Sequence, residues 1–385
     1  MRGHITKRGK DSYSIVISSG ERDPETKKYK QHWETVRGTK KDAEKRLAEL
    51  LNQIDKGLYI KPEKTTLAEY LERWLKDYVW PNLAPKTAEG YEHIIRRYII
   101  PGLGKIQLAQ LKPEHIQKYY ANQLSIGGDK GIGLSPRTVR HHHMCLHSAL
   151  KTAVKWGLII RNPLDAIDPP HCQKQEMHTL NEGDIQKVLD VAKDTPYFAL
   201  YYLALFTGLR RSELLALKWS DIDFLMCQLS VSRSLHVLAK GEIVLRQTKT
   251  AKSNRSVALS PSTVQILKKH KEKHQSFKIL AGSRLSEDDF VFTNIDGKPL
   301  LPNTVTHNWI KIVRKTGLNG IRLHDARHTH ASLMLKQGVH PKIVQERLGH
   351  SSIQVTLDTY SHVTPGLQQA AAKGFDNLVL PGTTI

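Results

Sequence analysis

Two irregular segments constrain what this chain can fold into more than any other feature. Residues 55–64 (DKGLYIKPEK) and 158–178 (LIIRNPLDAIDPPHCQKQEMH) combine proline or glycine with charged residues, a composition typical of linkers. A chain of 385 residues is also too long for one ordinary core. The sequence therefore predicts three modules, at residues 1–56, 64–158 and 175–385.

The first module is predicted to be a small three-stranded sheet backed by one helix. Residues 12–18 and 29–36 are rich in aromatic and β-branched residues, and Thr39 precedes apolar residues at helical spacing. The candidate DNA-binding residues of this basic module are Lys27, Lys28, Lys30 and Arg37. Basic strands can enter a DNA groove, but a solvated basic surface would account for the same residues.

The second module is predicted to be an all-α domain of four helices. Capping residues start helices at Thr66 and Ser135, and Pro101 is expected to stop the second helix. The candidate DNA-binding residues, on helix faces that solvent alone would also explain, are Arg96, Arg97, Arg137 and Arg140. The segment HHHMCLH has the i,i+4 spacing of metal ligands but no second ligand pair, so we interpret it as a basic cluster facing DNA or solvent.

The third module is predicted to be mixed and mainly α-helical, an α+β domain. An apolar helix ends at Gly208, and Arg210 is expected at a buried helix start, where Glu213 would orient its guanidinium. A plain Arg–Glu helix pair is the alternative. Lys249 and Lys252 are predicted at the tip of a hairpin, where an ammonium group can reach a phosphate, although surface lysines are common on turns.

Residues 324–360 contain the densest set of candidate catalytic side chains. His324 and Arg327 are three apart on a predicted helix and therefore share a face. His350 follows a second short helix, and Tyr360 lies in a polar, turn-flanked segment. Arginine, histidine and a possible nucleophile, without a cluster of carboxylates, suggest phosphoryl transfer without a metal. HDARH has the histidine spacing of a zinc site, but an arginine within it would repel a cation, so no metal site is predicted.

The net charge indicates the partner. With 58 Lys+Arg against 37 Asp+Glu, the chain carries +21 and has a pI near 9.7, which favours binding to a polyanion such as nucleic acid. No segment reaches the roughly 20 apolar residues that span a bilayer, and no signal-peptide pattern opens the chain. Three cysteines without C-x-x-C spacing fit reduced thiols, so a cytoplasmic location is expected.

A set of motifs in the third module resembles the active site of the tyrosine recombinases. The motifs, in chain order, are TGLRRSELLAL with Arg210, TKTAKSNRSVAL with Lys249, HDARHTHAS with His324 and Arg327, LGHSS with His350, and DTYSHV with Tyr360. The module order also resembles the lambda-type integrases of Gram-positive temperate phages and integrative conjugative elements. Which of these two kinds of element carries the gene stays open.

This resemblance implies a mechanism that needs no cofactor. Arg210, Arg327 and His350 would bind the scissile phosphate, and Tyr360 would attack it to form a 3′-phosphotyrosyl link. His324 would help to accept the phenol proton, and Lys249 would protonate the departing 5′ oxygen. The chain would then integrate and excise a mobile element without metal or ATP.

The resemblance also implies partners and module roles. The three modules would be an arm-type DNA-binding domain, a core-binding domain and a catalytic domain with a C-terminal tail that docks in cis or in trans. Double-stranded DNA at core and arm sites would be bound by a homotetramer in the bacterial nucleoid, with an excisionase and a host DNA-bending protein as further partners. An architectural DNA-binding protein, a type IB topoisomerase and a metal-dependent transposase are the alternatives.

Overall fold

The computed structural model describes residues 3–22, 27, 29–55, 64–128, 131–173, 178–247, 254–360, 372, 375 and 379. Contacts within the chain divide it into two compact units, Met1–Gln173 and Lys174–Ile385. Each unit contains its own extensive hydrophobic core.

The chain begins with an antiparallel sheet of strands β1 (Gly3–Gly9), β2 (Ser12–Arg22) and β3 (Tyr29–Arg37), in the order β1-β2-β3. Helix α1 (Lys40–Asp55) follows, and Ile15 and Ile17 of β2 pack with Leu50 of this helix. Side chains alternate between the faces of a strand. Trp33, which pairs with Val16, is 54% exposed on the face away from α1.

Helices alone build the rest of the first unit within its described residues. They are α2 (Leu67–Trp74), a π-helical turn (Leu75–Val79), α3 (Trp80–Asn82), α4 (Pro85–Ile94), a second π-helical turn (Ile95–Ile99), α5 (Ile100–Leu103), a 3₁₀ turn (Leu108–Gln110), α6 (Pro113–Ile126), α7 (Pro136–Lys155) and a 3₁₀ turn (Pro163–Ala166). Because α2 continues into α3 and α4 into α5, these pieces form the four predicted helices.

The prediction that Pro101 stops the second helix is wrong. The helix continues to Leu103 through a π-helical turn, in which the N–H of Ile100 donates to the carbonyl of Ile95, five residues back. A proline lacks the N–H that an α-helical turn requires. In the π-helical turn just before Pro101, the hydrogen bonds join residues five apart instead of four. The chain then continues as a helix through the proline. Pro81 follows the other π-helical turn in the same way.

One histidine of the HHHMCLH segment in α7 is buried, although the sequence suggested a basic cluster facing DNA or solvent. His142 is only 1% exposed, its ring stacks on Tyr98 with centroids 4.8 Å apart, and its Nδ1 lies 3.0 Å from the hydroxyl of Tyr119. Burial lowers the pKa of His142 to about 4. His143 is half-buried against the hydroxyl of Tyr120, at 2.9 Å. The prediction is therefore wrong for His142, which is a core residue of the helical bundle.

The second unit is mainly helical with small sheets. Its elements are α8 (Glu182–Ala192), α9 (Phe198–Thr207), α10 (Arg211–Leu214), a 3₁₀ turn (Trp219–Asp221), β4 (Ile222–Asp223), β5 (Gln228–Val231), β6 (Arg233–Val237), β7 (Ile243–Gln247), β8 (Arg255–Ala258), α11 (Pro261–Leu280), α12 (Pro302–Lys315), α13 (Leu323–Lys336), α14 (Pro341–Leu348) and α15 (Ile353–Tyr360).

The strands form an antiparallel sheet in the order β4-β5-β8 and a β6–β7 hairpin. Trp219, Trp309 and Tyr201 are fully buried in the core, where the Tyr201 hydroxyl donates to the carbonyl of Val305 at 2.8 Å. The predicted fold class, a sheet-plus-helix module, an all-α domain and a mainly-α mixed domain, is thereby confirmed.

Two features are absent from the part of the chain that the structure describes. None of its helices combines the length and the apolar character needed to cross a bilayer. It also contains no group of three or more His, Cys, Asp or Glu residues placed to hold a metal ion.

Candidate active site

Arg210 lies in the short connection between α9 and α10. Gly208 ends α9 in the left-handed conformation, with φ +65°, and Arg210 is the N-cap of the short helix α10. Its backbone N–H and its Nη1 donate to the two carboxylate oxygens of Glu213, at 2.9 and 2.7 Å. The predicted orienting role of Glu213 therefore matches the geometry. The predicted buried helix start is found in part: Leu209 and Glu213 are buried, whereas the Arg210 side chain stays 38% exposed.

Arg327 joins the ends of two helices. It is 3% exposed on α13, and its Nη1 and Nη2 donate to the carbonyls of Gly208 at 2.9 Å and Leu348 at 2.8 Å. These carbonyls are at the C-terminal ends of α9 and α14, where the helix dipole favours a cation. His324 lies about one helical turn before Arg327 on α13, as their spacing in the sequence predicted. Its side chain is exposed.

The last turn of α14 accepts hydrogen bonds from three arginines. The carbonyls of residues 347, 348 and 349 accept in turn from Arg255 Nε at 2.8 Å, Arg327 Nη2 at 2.8 Å and Arg210 Nη2 at 3.2 Å. A helix C-terminus leaves its last carbonyls without intrahelical partners. The α14 end therefore holds three guanidinium groups side by side.

Arg255 is the member of this group that sequence reasoning missed. Its side chain is 6% exposed, and its Nη2 donates to Glu213 Oε2 at 2.8 Å. Burial alone would raise the pKa of Glu213, but the hydrogen bonds and charges of Arg255 and Arg210 lower it to about 2. The available signal was a charged residue that opens an otherwise β-rich strand, six positions after Lys249.

His350 lies close to the arginine pair as a neutral ring. Desolvation and then the charges of Arg327 and Arg210 lower its pKa to about 3. Its Nδ1 is 2.8 Å from the hydroxyl of Thr356 in α15. Desolvation and the charge of Arg327 also lower the pKa of His324, which keeps that ring able to accept a proton near neutral pH.

His330 fixes the packing behind these residues. Its Nδ1 is 3.0 Å from the carbonyl of Leu205 and must donate to it, so its Nε2 accepts from Arg347 Nε at 2.9 Å. This arrangement requires a neutral imidazole, and burial lowers the pKa of His330 to about 4. Arg347 also donates to the carbonyl of Phe206 at 3.1 Å, so α9, α13 and α14 are joined around one histidine.

Gly208→Ala is expected to destabilise the protein by about 1–3 kcal/mol. Gly208 has φ +65°, and an added Cβ would lie 2.6 Å from Leu348 Cδ2 and 2.9 Å from His330 Cδ2. Urea unfolding followed by tryptophan fluorescence measures the loss. The matched control is Gly317→Ala, because Gly317 has φ +79° but no atom lies within 4 Å of the position that its added methyl group would occupy. Equal losses for the two variants would contradict the close-packing argument.

Comparison with known proteins decides the family. Residues 178–366 match the Phage integrase family, and residues 66–125 match the Phage integrase N-terminal SAM-like domain. The tyrosine recombinase XerC-like protein of Caldanaerobacter subterraneus subsp. tengcongensis is 31% identical over 98% of this chain and 99% of its own length. The chain belongs to the tyrosine recombinases. The resemblance predicted from its motifs is confirmed.

Two solved structures share the fold of this recombinase. A fragment of the Tn1549 transposon integrase, in complex with a circular intermediate DNA, has a TM-score of 0.69 at 21% identity and covers 81% of this chain and 99% of that one. A lambda integrase tetramer bound to a Holliday junction has a TM-score of 0.58 at 20% identity and covers 94% of this chain and 95% of that one.

The structure brings together four of the six predicted catalytic residues of the recombinase in one region of its second unit. Arg210, Arg327 and His350 surround the end of α14, and His324 is one turn from Arg327. Tyr360 is the last residue of α15, a helix where the sequence suggested a turn-flanked segment. Its side chain lies outside the described residues, as do Lys249 and Lys252.

The predicted DNA-binding residues of the recombinase differ in their surroundings. Those that are exposed on the described surface are Lys27, Arg37, Arg96, Arg97, Arg137 and Arg140. Arg96 is also held by ion pairs to Glu72 at 2.9 Å and to Glu92. Lys28 and the side chain of Lys30 lie outside the described residues.

Proposed function

We propose that this tyrosine recombinase is the integrase of a mobile element, which it inserts into and excises from DNA through a covalent intermediate. The observation that carries the proposal is the convergence of Arg210 and Arg327 on the end of α14, directly beside His350, because the two arginines are far apart in sequence. The likeness to the Tn1549 transposon integrase and to lambda integrase supports it.

In this proposal the two arginines bind the scissile phosphate. Their guanidinium groups donate to the adjacent carbonyls of Leu348 and Gly349, so they are held as neighbours before DNA arrives. Arg210 is 38% exposed, which leaves its outer edge accessible to a phosphate. Donors fixed in advance stabilise the charge that develops on a pentavalent phosphorus at little reorganisation cost. Neutral His350 supplies a further hydrogen bond to the same oxygens.

The strand is cut by in-line attack and rejoined by the reverse step. The phenol oxygen of Tyr360 forms a bond to phosphorus, its proton passes to neutral His324, and the bond from phosphorus to the 5′ oxygen breaks. Lys249 gives its proton to the departing oxygen. The resulting 3′-phosphotyrosine keeps the energy of the phosphodiester, so attack by the 5′-hydroxyl of a partner strand rejoins DNA without ATP.

A nicked substrate tests this function. When the nick lies a few nucleotides 3′ of the cleavage site, the short fragment that carries the released 5′-hydroxyl diffuses away after attack. Because that hydroxyl is lost, the reverse step cannot occur and the covalent complex is trapped. The full-length protein is expected to form a protein–DNA adduct that survives denaturing electrophoresis, in the presence of EDTA as well as without it. No adduct at an attachment-site sequence, or an adduct abolished by EDTA, would contradict the proposal.

We infer that the three modules bind separate parts of the DNA. Residues 1–56 would bind arm sites, residues 64–158 core sites, and residues 175–385 would cleave, with four protomers on two duplexes. Linked domains raise the effective concentration of the second contact, which favours bridging of distant sites. An excisionase and a host DNA-bending protein would set the direction of the reaction, which takes place on the nucleoid in the bacterial cytoplasm.

The face of the N-terminal sheet away from α1 is the proposed arm-binding surface. Trp33, Thr35 and Arg37 alternate along β3 and pair with Val16, Ser14 and Ser12 of β2. The guanidinium of Arg8 is 6.0 Å from the ring centroid of Trp33. The opposite face is covered by α1, whereas Trp33, Thr35 and Arg37 are exposed on this face.

Arg37→Ala is expected to weaken arm-site binding about tenfold, the effect of losing one good DNA contact of about 1.4 kcal/mol. Fluorescence anisotropy with arm-site and core-site duplexes at fixed salt measures both affinities, and core-site affinity is expected to stay unchanged. Lys40→Ala is the matched control, because it removes the same charge from α1, where Lys40 is exposed near Glu44.

Deletion of residues 1–56 extends this test to function. The truncated protein is expected to form the covalent adduct at core sites but not to integrate between full attachment sites. Unimpaired integration by the truncated protein, or equal losses for Arg37→Ala and Lys40→Ala, would contradict the arm-binding assignment.

A further inference from the structure

Helix α15, which ends at Tyr360, contacts the rest of the second unit through a buried polar side chain. Among its residues 353–357, whose side chains the structure describes, Thr356 alone is buried, with 0% exposure. Ile353, Val355 and Leu357 are 37%, 41% and 43% exposed. Apolar packing by these residues is therefore partial, and the buried contact is a polar one: the Thr356 hydroxyl lies 2.8 Å from Nδ1 of His350.

The hydrogen-bond chemistry of His350 depends on which nitrogen carries its proton. A neutral imidazole has one donor nitrogen and one acceptor nitrogen. If His350 is to donate to a phosphate oxygen through Nε2, then Nδ1 must be the acceptor. The partner of Nδ1 must therefore be a donor, and a threonine hydroxyl can be one, whereas a carbonyl or a carboxylate cannot.

We propose that Thr356 is a positioning residue of the recombinase reaction, whose hydroxyl donates to Nδ1 of His350 and so keeps the proton on Nε2 for the phosphate. This inference rests on the proposed function. The partner of a histidine's second nitrogen sets both its tautomer and its ring orientation. The same hydroxyl therefore decides whether the third phosphate ligand of the site is a donor.

The position of Thr356 also couples this ligand to the nucleophile. Tyr360 is four residues further along α15, about one helical turn. A hydrogen bond from this helix to His350 fixes the register between the end of α14 and the end of α15. One bond thus orients the phosphate donor and anchors the helix that carries the attacking residue.

Thr356→Val tests the proposal, because valine keeps the shape of threonine and removes the hydroxyl. The single-turnover rate of adduct formation on the nicked substrate is expected to fall about 10- to 100-fold, with unchanged affinity for DNA. Thr356→Ser, which keeps the hydroxyl, is expected to stay within about threefold of the wild-type rate. A wild-type rate for Thr356→Val would overturn the proposal.

A matched control separates this effect from the loss of any buried hydroxyl. Thr263 is 2% exposed in α11, and its hydroxyl lies 2.8 Å from that of Ser260. Thr263→Val is expected to cleave at the wild-type rate per folded molecule. If Thr356→Val does not fold, Thr356→Ala, which also removes the hydroxyl, replaces it, and its rate is expected to fall in the same way. A wild-type rate for Thr356→Ala would overturn the proposal.

A double variant distinguishes positioning of His350 from general support of the helix. In a His350→Ala background, Thr356→Val is expected to change the cleavage rate less than about twofold, because the group that it positions is gone. Effects that multiply in the double variant would overturn the role in setting the tautomer. Failure of the wild-type protein to form any adduct would instead overturn the proposed function.

Discussion

Tyr360→Phe is expected to bind attachment-site DNA with wild-type affinity and to form no covalent adduct. The substitution removes only the phenol oxygen, which is the atom that bonds to phosphorus in the proposed reaction. Loss of an enzyme nucleophile lowers the rate by about 10⁴-fold or more. Denaturing electrophoresis with the nicked substrate measures the adduct, and a gel shift measures binding by the same preparation.

Tyr202→Phe is the matched control for this substitution. The ring of Tyr202 stacks on Phe206 with centroids 4.1 Å apart, an interaction that phenylalanine keeps. This variant is expected to cleave like the wild type. An adduct formed by Tyr360→Phe, traced by peptide mapping to another residue, would assign the nucleophile elsewhere.

Glu213→Gln is expected to reduce the free energy of unfolding by about 3 kcal/mol, because it leaves buried arginine charge without its counter-ion. Glu213 is 3% exposed and accepts from Arg210 and from Arg255, which is itself 6% exposed. Urea unfolding measures the change. Glu287→Gln is the control, because Glu287 pairs with Lys271 at the surface and such pairs contribute less than about 1 kcal/mol.

The pH dependence of the free energy of unfolding gives a second measure of the contribution of Glu213. The pKa of Glu213 is lowered to about 2, so its contribution is present above its ordinary pKa of 4.5 and is lost as the pH falls through 2. His330, with a pKa lowered to about 4, favours the folded state above pH 6.5 and loses that contribution as the pH falls towards 4. Glu213→Gln should flatten only the more acidic part of the curve. Flattening near pH 6 would contradict this assignment.

Local chemistry made much of the catalytic unit predictable. Gly208 at the end of α9, the helical spacing of His324 and Arg327, and the reach of Glu213 to Arg210 all follow from interactions within four residues. The resemblance of its motifs to those of the tyrosine recombinases then predicted the family. These features need no knowledge of how distant segments meet.

Long-range packing decided what the sequence could not reveal. Arg255 donates to Glu213, which is 42 residues away in the sequence, and no short-range sequence pattern predicts that contact. His142 looked like part of a basic cluster because its neighbours are histidines, yet it faces Tyr98 and Tyr119 in the core. Pro101 stayed inside a helix because a π-helical turn precedes it, and such turns leave no simple sequence signal.

The end of α14 also has a consequence for the order in which this site can form during synthesis. Its carbonyls bind arginines that are 139, 92 and 21 residues earlier in the chain. Each arginine leaves the ribosome before the turn that will hold it. The nascent chain therefore has no assembled phosphate site until residue 349 has emerged, and the nucleophile follows eleven positions later. Cleavage competence should therefore appear only after Tyr360 has also emerged.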